Sequence, residues 1–469
     1  MRPDRPTAGD TAATDPADAA FPEGIPEPQL SVARGTAYGL AADAVTVVSA
    51  LVVSVIVARS LGPANRGVYA LALLSVTLVT IMGDLGMSAS GIVFAANRRL
   101  SLSRLHGMAL VLSLAVAAIA GLFLLGFADW LTRTVLKGVS REELWLVTAG
   151  IVPVLYAQLL MAMLTGMGRL RVLAKLRIAA GVAAPVLMLG AVWASGGSPF
   201  WAVAGWLGGA IVLAAPMALV ATREMGPPVP PSPAQTRTLL SFGLRAWIGT
   251  ISHHGYLRTD VLFISARMTP ADVGQYSLSS VLAERISLVG SALYGAGASR
   301  VGGGDRAAAE VLVARMVRLL LVVLVPIAVA LGALSWLLIP LAFGADFRPA
   351  VLPFVLLLPG TVCLTVWYVV SLFIIAALHR PGLTTAIQGS AMLAGLPLYW
   401  VAVGAWGMTG AAIVSTAIYS SVLAAGVVTF RRNRSPSGTR LLPGLADARD
   451  AREMVRRALA RTPWRMKHA

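Results

Sequence analysis

Charge is what this sequence has little of: Asp, Glu, Lys and Arg make up 13% of its 469 residues, where a soluble chain typically carries about 25%. So large a deficit excludes an ordinary water-soluble globule. Cysteine is nearly absent as well. Cys363 is the sole thiol and lies inside an apolar run, so an internal disulfide and any CxxC metal or redox site are excluded, and it reads as a small buried apolar residue. No GxxxxGK[ST] loop occurs to cradle a nucleotide phosphate, and no polar segment is large enough for a nucleotide domain, which argues against an ATP-driven pump. A membrane glycosyltransferase, polymerase or ligase usually presents carboxylates or a sizeable domain on an outer loop. Ser60 to Gly67 has none, and the largest outer connection, Asp129 to Glu143, has only about fifteen residues. The chain is therefore not expected to be an enzyme, and no cofactor is expected.

What the chain has in abundance is apolar length. Hydrophobic residues make up 57% of it and the mean hydropathy is +0.77. A span needs roughly 20 mainly apolar residues to cross about 30 Å of hydrocarbon. The pattern predicts an all-α integral membrane protein of about twelve transmembrane helices: residues 35–59, 68–95, 105–128, 143–166, 172–195, 200–222, 240–266, 273–299, 309–338, 350–378, 382–404 and 408–430. Spans 68–95 and 309–338 exceed the minimum, so tilt or extension beyond the bilayer is expected. Residues Met1 to Leu30 are polar, with six acids and no apolar core. That composition predicts a disordered tail over 1–32 and no cleavable signal peptide.

Basic residues test the topology independently. Arg98, Arg99 and Arg104 follow span two, and Arg169, Arg171, Lys175 and Arg177 follow span four. Arg300, Arg306, Arg315 and Arg318 join spans eight and nine, and the segment from Arg431 onward is arginine-rich. The opposite connections hold only Arg59, Arg66, Arg133, Lys137, Arg141, Arg267 and Arg348. The positive-inside rule then puts both termini in the cytoplasm of a bacterial inner membrane. The net charge of +17 is accounted for by topology and anionic-lipid contact, and no nucleic-acid partner is expected. Residues 446–461 show helical periodicity and read as a basic helix on the inner membrane surface or as a solvated tail.

The chain also repeats itself. LGPANRGVYAL at 61–71 and MTPADVGQYSL at 268–278 share Pro63, Ala64, Gly67, Tyr69 and Leu71 with Pro270, Ala271, Gly274, Tyr276 and Leu278, at a constant offset of 207. Gly205 and Gly410 echo each other at nearly the same shift. Six spans are an even number of crossings, so the copies run parallel, related by an axis along the membrane normal. The expected organisation is an N-lobe over 33–222, a Pro-rich cytoplasmic linker over 223–237 containing GPPVPPSP, a C-lobe over 238–430, and a basic tail over 431–469.

VARSLGPANRGVYALAL followed by GDLGMSASGIVFAA resembles the opening of polysaccharide flippases of the Wzx type, within the multidrug/oligosaccharidyl-lipid/polysaccharide exporter superfamily. LRTDVLFISARMTPADVGQYSLSSVLAERI is similar to the start of that family's second half, and FGADFRPAVLPFVLLLPG to its connection into the tenth span. The resemblance covers about residues 33–430. It implies a two-lobed helical fold around a central cavity that translocates polyprenyl-pyrophosphate-linked oligosaccharide by alternating access. Its partners would be that substrate, membrane lipids and other polysaccharide-assembly proteins.

Ionisable side chains inside spans mark cavities or partners. Asp43, Asp84, His253, His254, Arg258, Asp260, Glu284 and Arg285 all fall on spans one, two, seven and eight, which predicts a polar cavity between those four. Ser277, Ser280, Glu284, Ser287 and Ser291 share one helical face, and Thr77, Thr80 and Asp84 show the same spacing. Such stripes also serve helix packing. Arg258 and Arg285 are candidates to grip pyrophosphate oxygens, with His254, Ser280, Ser287, Thr77 and Thr80 lining the cavity. Asp43, Asp84, His253, Asp260 and Glu284 are candidates for ion or proton coupling. Arg258 and Asp260 stand roughly 200° apart on an ideal helix and cannot both face the cavity unless Gly249 or Gly255 breaks span seven. Arg59 reads as an interfacial anchor. The competing readings are a small-molecule exporter of the same superfamily, a polymerase or ligase, and a scaffold. With cytoplasmic termini, green fluorescent protein fused after Ala469 should fluoresce and alkaline phosphatase inserted within 129–143 should be active; the reverse pattern overturns the topology.

Overall fold

A backbone surrounded by hydrocarbon has no water to bond, so each crossing closes its own hydrogen bonds as a helix. The computed structural model describes residues 29–98, 100–302, 305–434 and 440–444. The helices are α1 Gln29–Gly83, α2 Met87–Asn97, α3 Leu102–Gly126, α4 Ala128–Thr134, α5 Arg141–Gly166, α6 Leu170–Ser195, α7 Pro199–Met225, α8 Pro233–Arg267, α9 Pro270–Glu284, α10 Ser287–Gly302, α11 Arg306–Phe343, α12 Val351–Leu372 and α13 Pro381–Arg432. Eight helical stretches are long and apolar enough to cross a membrane. Two of them double back at glycines: α1 at Gly62 (φ 70°, ψ 177°) and α13 at Gly407 (φ 58°, ψ −135°). A positive φ suits glycine, which has no Cβ to clash. With α8 as one pass and α9–α10 as another, the chain makes twelve passes, six in each lobe. The terminal face holds the helix ends at Asn97 and Gly302 and the connections at 167–169 and 226–232; the distal face holds Gly62, 127–140, 196–198, Met268 and Gly407.

Several expected boundaries move, each for a local reason. The first helix begins at Gln29, inside the expected tail, and the seventh pass begins at Pro233, inside the expected linker. There the Ser232 hydroxyl accepts from the Gln235 backbone N–H, the Gln235 side chain accepts from the Ser232 N–H, and Pro233 supplies a preset φ. The rest of the Pro-rich segment is tied to α3: Val229 N–H donates to the Ser103 carbonyl at 3.0 Å and the Ser103 hydroxyl to that of Met225 at 2.8 Å. Span two breaks at Asp84–Gly86, where Leu85 (φ 46°) and Gly86 (φ 73°) are left-handed. Span eight breaks between Glu284 and Ser287. Span nine lengthens to the 38-residue α11, longer than about 30 Å of hydrocarbon requires. The basic helix expected at 446–461, Arg99 and residues 1–28 lie outside the described residues.

The lobes meet through the repeated segment. A Cβ on Gly67 would lie 1.7 Å from the Pro270 carbonyl oxygen, and one on Gly274 would lie 2.0 Å from that of Pro63. The two copies thus cross backbone to backbone at the distal face. Around this crossing Arg59 Nε donates to the Ala342 carbonyl at 2.8 Å, Lys137 to that of Ala266 at 2.8 Å, and the Ser265 hydroxyl to that of Val135. One apolar core runs through the seam, from Val68, Leu71 and Val139 to Val273, Leu278 and Phe347.

At the terminal face the joint is one-sided. α2 meets α8 where Gly86 abuts Gly243, the Ser90 hydroxyl donates to the Leu239 carbonyl at 3.0 Å, and the Trp247 indole to that of Met82 at 3.0 Å. The pseudo-symmetric partner, α10, packs mainly on α11 and α12 among the described residues. Tryptophan marks the faces too. Trp130, Trp145, Trp193, Trp201, Trp336, Trp400 and Trp406 are all exposed and all lie within about two turns of the distal ends, a belt suited to a headgroup layer. Arg267 stacks on one of them, Trp400, at 3.6 Å.

Gly67→Ala and Gly274→Ala should each destabilise the distal seam by roughly 1–3 kcal/mol, as overpacking does. Gly190→Ala, with nothing within 4 Å of its added methyl, should be neutral. Thermal unfolding in detergent reads the difference, and equal effects at all three sites would discount the crossing.

Candidate functional site

Because the passes cross at the distal face and diverge below it, they leave a cavity on the pseudo-twofold axis of about 300 Å³. Its walls come from the first, second, seventh and eighth passes, the four that the intramembrane charges singled out. Polar groups on it are Ser54, Arg66, Thr77, Arg258, Ser277 and Ser280. The remainder is aliphatic apart from Tyr69, so the wall is less polar than the serine and threonine stripes alone indicate.

Arg258 reaches the cavity from α8 but is not free. Its Nη1 and Nη2 donate to the two carboxylate oxygens of Glu284 at 2.9 and 3.0 Å, with side-chain exposures of 26% and 20%. Ser280 donates to the same carboxylate at 3.1 Å, and Ser287 to the Glu284 carbonyl at 2.6 Å, just where α9 ends. Pass seven is therefore clamped to pass eight at the break. Arg285 sits at that break half-buried, and its Nε has no hydrogen-bond partner among the described residues.

Two residues on, Asp260 points the other way. α8 shows no break at Gly249 or Gly255, so the expected divergence holds. Asp260 is fully buried inside the second lobe, accepting from Tyr276 at 2.7 Å, Ser415 at 3.2 Å and the Val261 N–H at 2.7 Å. Ser415 is in turn 2.9 Å from the Tyr399 hydroxyl. His253 belongs to the same lobe's interior, with the Gln388 amide 3.1 Å from Nδ1 and the Tyr368 hydroxyl 3.4 Å from Nε2. His254 stands half-buried with its ring edge-on to His253 at 5.2 Å.

The first lobe's candidates divide similarly. Thr77 lines the cavity, while Thr80 is buried and bonds back to the Thr77 carbonyl at 3.1 Å. Asp84 does not face the cavity wall: it caps α2, accepting from the Ser88 N–H at 3.2 Å and its hydroxyl at 2.5 Å. Asp43, 56% exposed, pairs with Arg177 at 2.6 Å, an exposed tie worth about 0–1 kcal/mol. Among the described residues no three His, Cys, Asp or Glu side chains gather as a metal would require.

One group was missed. Arg66 counts as an outer-connection charge by sequence, yet it is 6% exposed and lines the cavity. The signal was in the repeat, whose second copy carries Val273 at that position; a site that takes valine in one copy is a buried site in both.

The family model of polysaccharide biosynthesis proteins matches residues 56–352. No curated protein matches the chain. Among solved structures, an inward-facing multidrug resistance MATE family transporter of the MOP superfamily is 17% identical, covers 82% of this chain and 94% of its own, and superposes with TM-score 0.66. The lipid II flippase MurJ in an inward closed conformation is 13% identical, over 91% of this chain and 93% of its own, with TM-score 0.67. A MOP superfamily transporter from Pyrococcus furiosus is 15% identical, over 92% and 96%, with TM-score 0.57. At these identities the structural likeness shows the fold, the two-lobed helical fold of MOP transporters.

Removing either partner of the Arg258–Glu284 clamp leaves a half-buried charge unpaired. Arg258→Gln and Glu284→Gln should each cost roughly 1–3 kcal/mol in thermal unfolding, and the double variant less than their sum. Strict additivity would mean that the pair does not tie the two passes together.

Proposed function

We propose that this chain, which belongs to the polysaccharide biosynthesis protein family, is a flippase that carries polyprenyl-pyrophosphate-linked oligosaccharide from the cytoplasmic to the outer leaflet by alternating access. The observation that carries the reading is the unequal pair of terminal seams. α2 is bonded to α8, whereas among the described residues α10 packs mainly on α11 and α12. A cargo with a long prenyl tail needs such a side opening, because the tail stays in hydrocarbon while the polar head enters the protein. The cavity between the lobes carries guanidinium groups, which suit phosphate oxygens. The terminal face, with its arginines, is taken as cytoplasmic and the tryptophan-belted distal face as outer.

In this reading Arg258 and Arg285 stand near the diphosphate, with Thr77, Ser280 and Ser287 about the head and His254 beside Arg258. Coupling to an ion or proton would act through Glu284 at the clamp or through Asp260 and His253 inside the second lobe. Asp43 and Asp84 serve as a surface tie and a helix cap. That one structural relative is a lipid II flippase supports a lipid cargo. The largely aliphatic cavity wall, with the multidrug transporters of the same fold, favours small-molecule export as the second reading.

In a bacterial strain lacking the chain, polyprenyl-pyrophosphate-linked oligosaccharides should accumulate and surface polysaccharide should fall. Lipid extraction and quantification measure both. Unchanged lipid-linked pools would discard the glycolipid reading in favour of small-molecule export.

A further inference from the structure

Arg66 lies one turn beyond Pro63, inside the crossing of the two lobes. Its Nη1 donates to the Gly274 carbonyl across the seam and, at 2.7 Å, to the Ser277 hydroxyl. Its guanidinium lies 5.9 Å from the centre of the Phe347 ring. All three contacts belong to the second lobe. Arg66 Nε has no hydrogen-bond partner among the described residues, and none of the ion pairs found among them includes it. The same side chain lines the cavity.

This is an unusual way to leave a cation. A buried charge without a counter-charge carries a desolvation penalty, and the neutral carbonyl, hydroxyl and ring offset only part of it. The arginine is not needed to make the crossing, because the second copy crosses with Val273, 1% exposed, at the same repeat position. Arg258, the other guanidinium on the cavity wall, already holds both oxygens of Glu284. Arg66 is thus the cation there that lacks a carboxylate, and its bonds are among those that join the lobes at the distal seam.

We infer that Arg66 is an anion-binding residue that doubles as the latch of the distal seam: phosphate or diphosphate in the cavity takes its donors from Gly274 and Ser277, and the lobes part at that face. The exchange favours the anion because charge-assisted bonds from guanidinium to phosphate are roughly twice as strong as bonds to neutral acceptors, and two can form in parallel. It also has the direction that gating requires. The anion binds better once the latch is undone, and that difference in affinity is what shifts a two-state equilibrium. The latch rests on the flippase reading only in taking the phosphate to be lipid-borne.

The test reads the seam directly. Spin labels are placed at Arg133→Cys and Arg348→Cys, both exposed on the distal face, one in each lobe, with Cys363→Ser removing the native thiol. Their separation is measured by double electron–electron resonance in nanodiscs, with farnesyl diphosphate, inorganic pyrophosphate or uncharged farnesol added. A diphosphate should shift the closed-to-open ratio roughly tenfold toward longer distances, and farnesol should not. Response to inorganic pyrophosphate would mean that a free anion suffices; response to farnesyl diphosphate alone would mean a lipid-borne one. Arg66→Gln should be open without any addition and indifferent to diphosphate. Ser277→Ala, which removes one acceptor and keeps the charge, should move the same way by less and serves if Arg66→Gln does not fold. A closed Arg66→Gln seam that still lengthens with diphosphate would overturn the inference. So would a parent protein unmoved by either diphosphate, since Arg66 would then be a structural tie. Opening by diphosphate together with unchanged lipid-linked pools in the deletion strain would keep the latch and discard the glycolipid flippase.

Discussion

Helices in lipid are not gathered by the hydrophobic effect, because acyl chains solvate a leucine as well as another helix does; close packing and hydrogen bonds have to hold them. In this protein that task falls on the crossing of the two repeat copies. Gly67 and Gly274 admit the Pro270 and Pro63 carbonyls at distances that a Cβ would forbid. The rest follows from that contact. Where the backbones touch, the two lobes share a core; away from it the first lobe has a separate terminal core around Met87, Leu105, Met163 and Met217, joined from the second lobe by Leu239. The second has its own cluster around Tyr256, Trp367 and Tyr419. A molecule fastened at one face and divided at the other needs few bonds to change to open the opposite way.

The repeat is symmetric in its backbone and not in its chemistry. Tyr69 faces the cavity while its counterpart Tyr276 turns inward to bond Asp260. The break in the pass comes after Asp84 in one copy and after Glu284 in the other, an offset of about two turns less than the 207-residue repeat. Asp84 caps the helix that follows; Glu284 clamps Arg258. The equivalent tyrosines have thus been divided, Tyr69 facing the shared space and Tyr276 the interior of its lobe, although both copies line the cavity.

Much of this could be read from the residues, and what could not has identifiable causes. Apolar length gave the passes, and the arginine asymmetry gave their parity. The opposite orientations of Arg258 and Asp260 came from helical spacing alone, which survives into any helix that stays unbroken. The helix breaks were hidden because Leu85 and Arg285 carry no breaker signal: the left-handed turn after Asp84 is imposed by packing of Gly86 on Gly243, a contact 157 residues away in sequence. Asp43 was singled out by hydropathy alone, which does not show its partner Arg177, 134 residues away. Arg66 was misread for the opposite reason. Counting basic residues in connections treats each as solvated, and here there is hardly a connection at all, only the turn at Gly62.

The balance of charge in the cavity bears on which cargo it suits. Arg258 and Glu284 cancel, leaving Arg66 as the guanidinium on the cavity wall without a carboxylate, in surroundings of low dielectric, where Coulomb terms exceed their value in water several-fold. A cation entering such a space would be repelled by it, while an anion would gain a charged partner. The side chains that would normally make a cation site are present, but Asp260 is turned into the second lobe among tyrosines, Asp84 is occupied with Ser88, and Glu284 with Arg258. Between the proposed lipid-linked phosphate and a cationic small molecule, the disposition of these charges favours the phosphate. It does so through the one arginine that the second copy of the repeat replaces with valine.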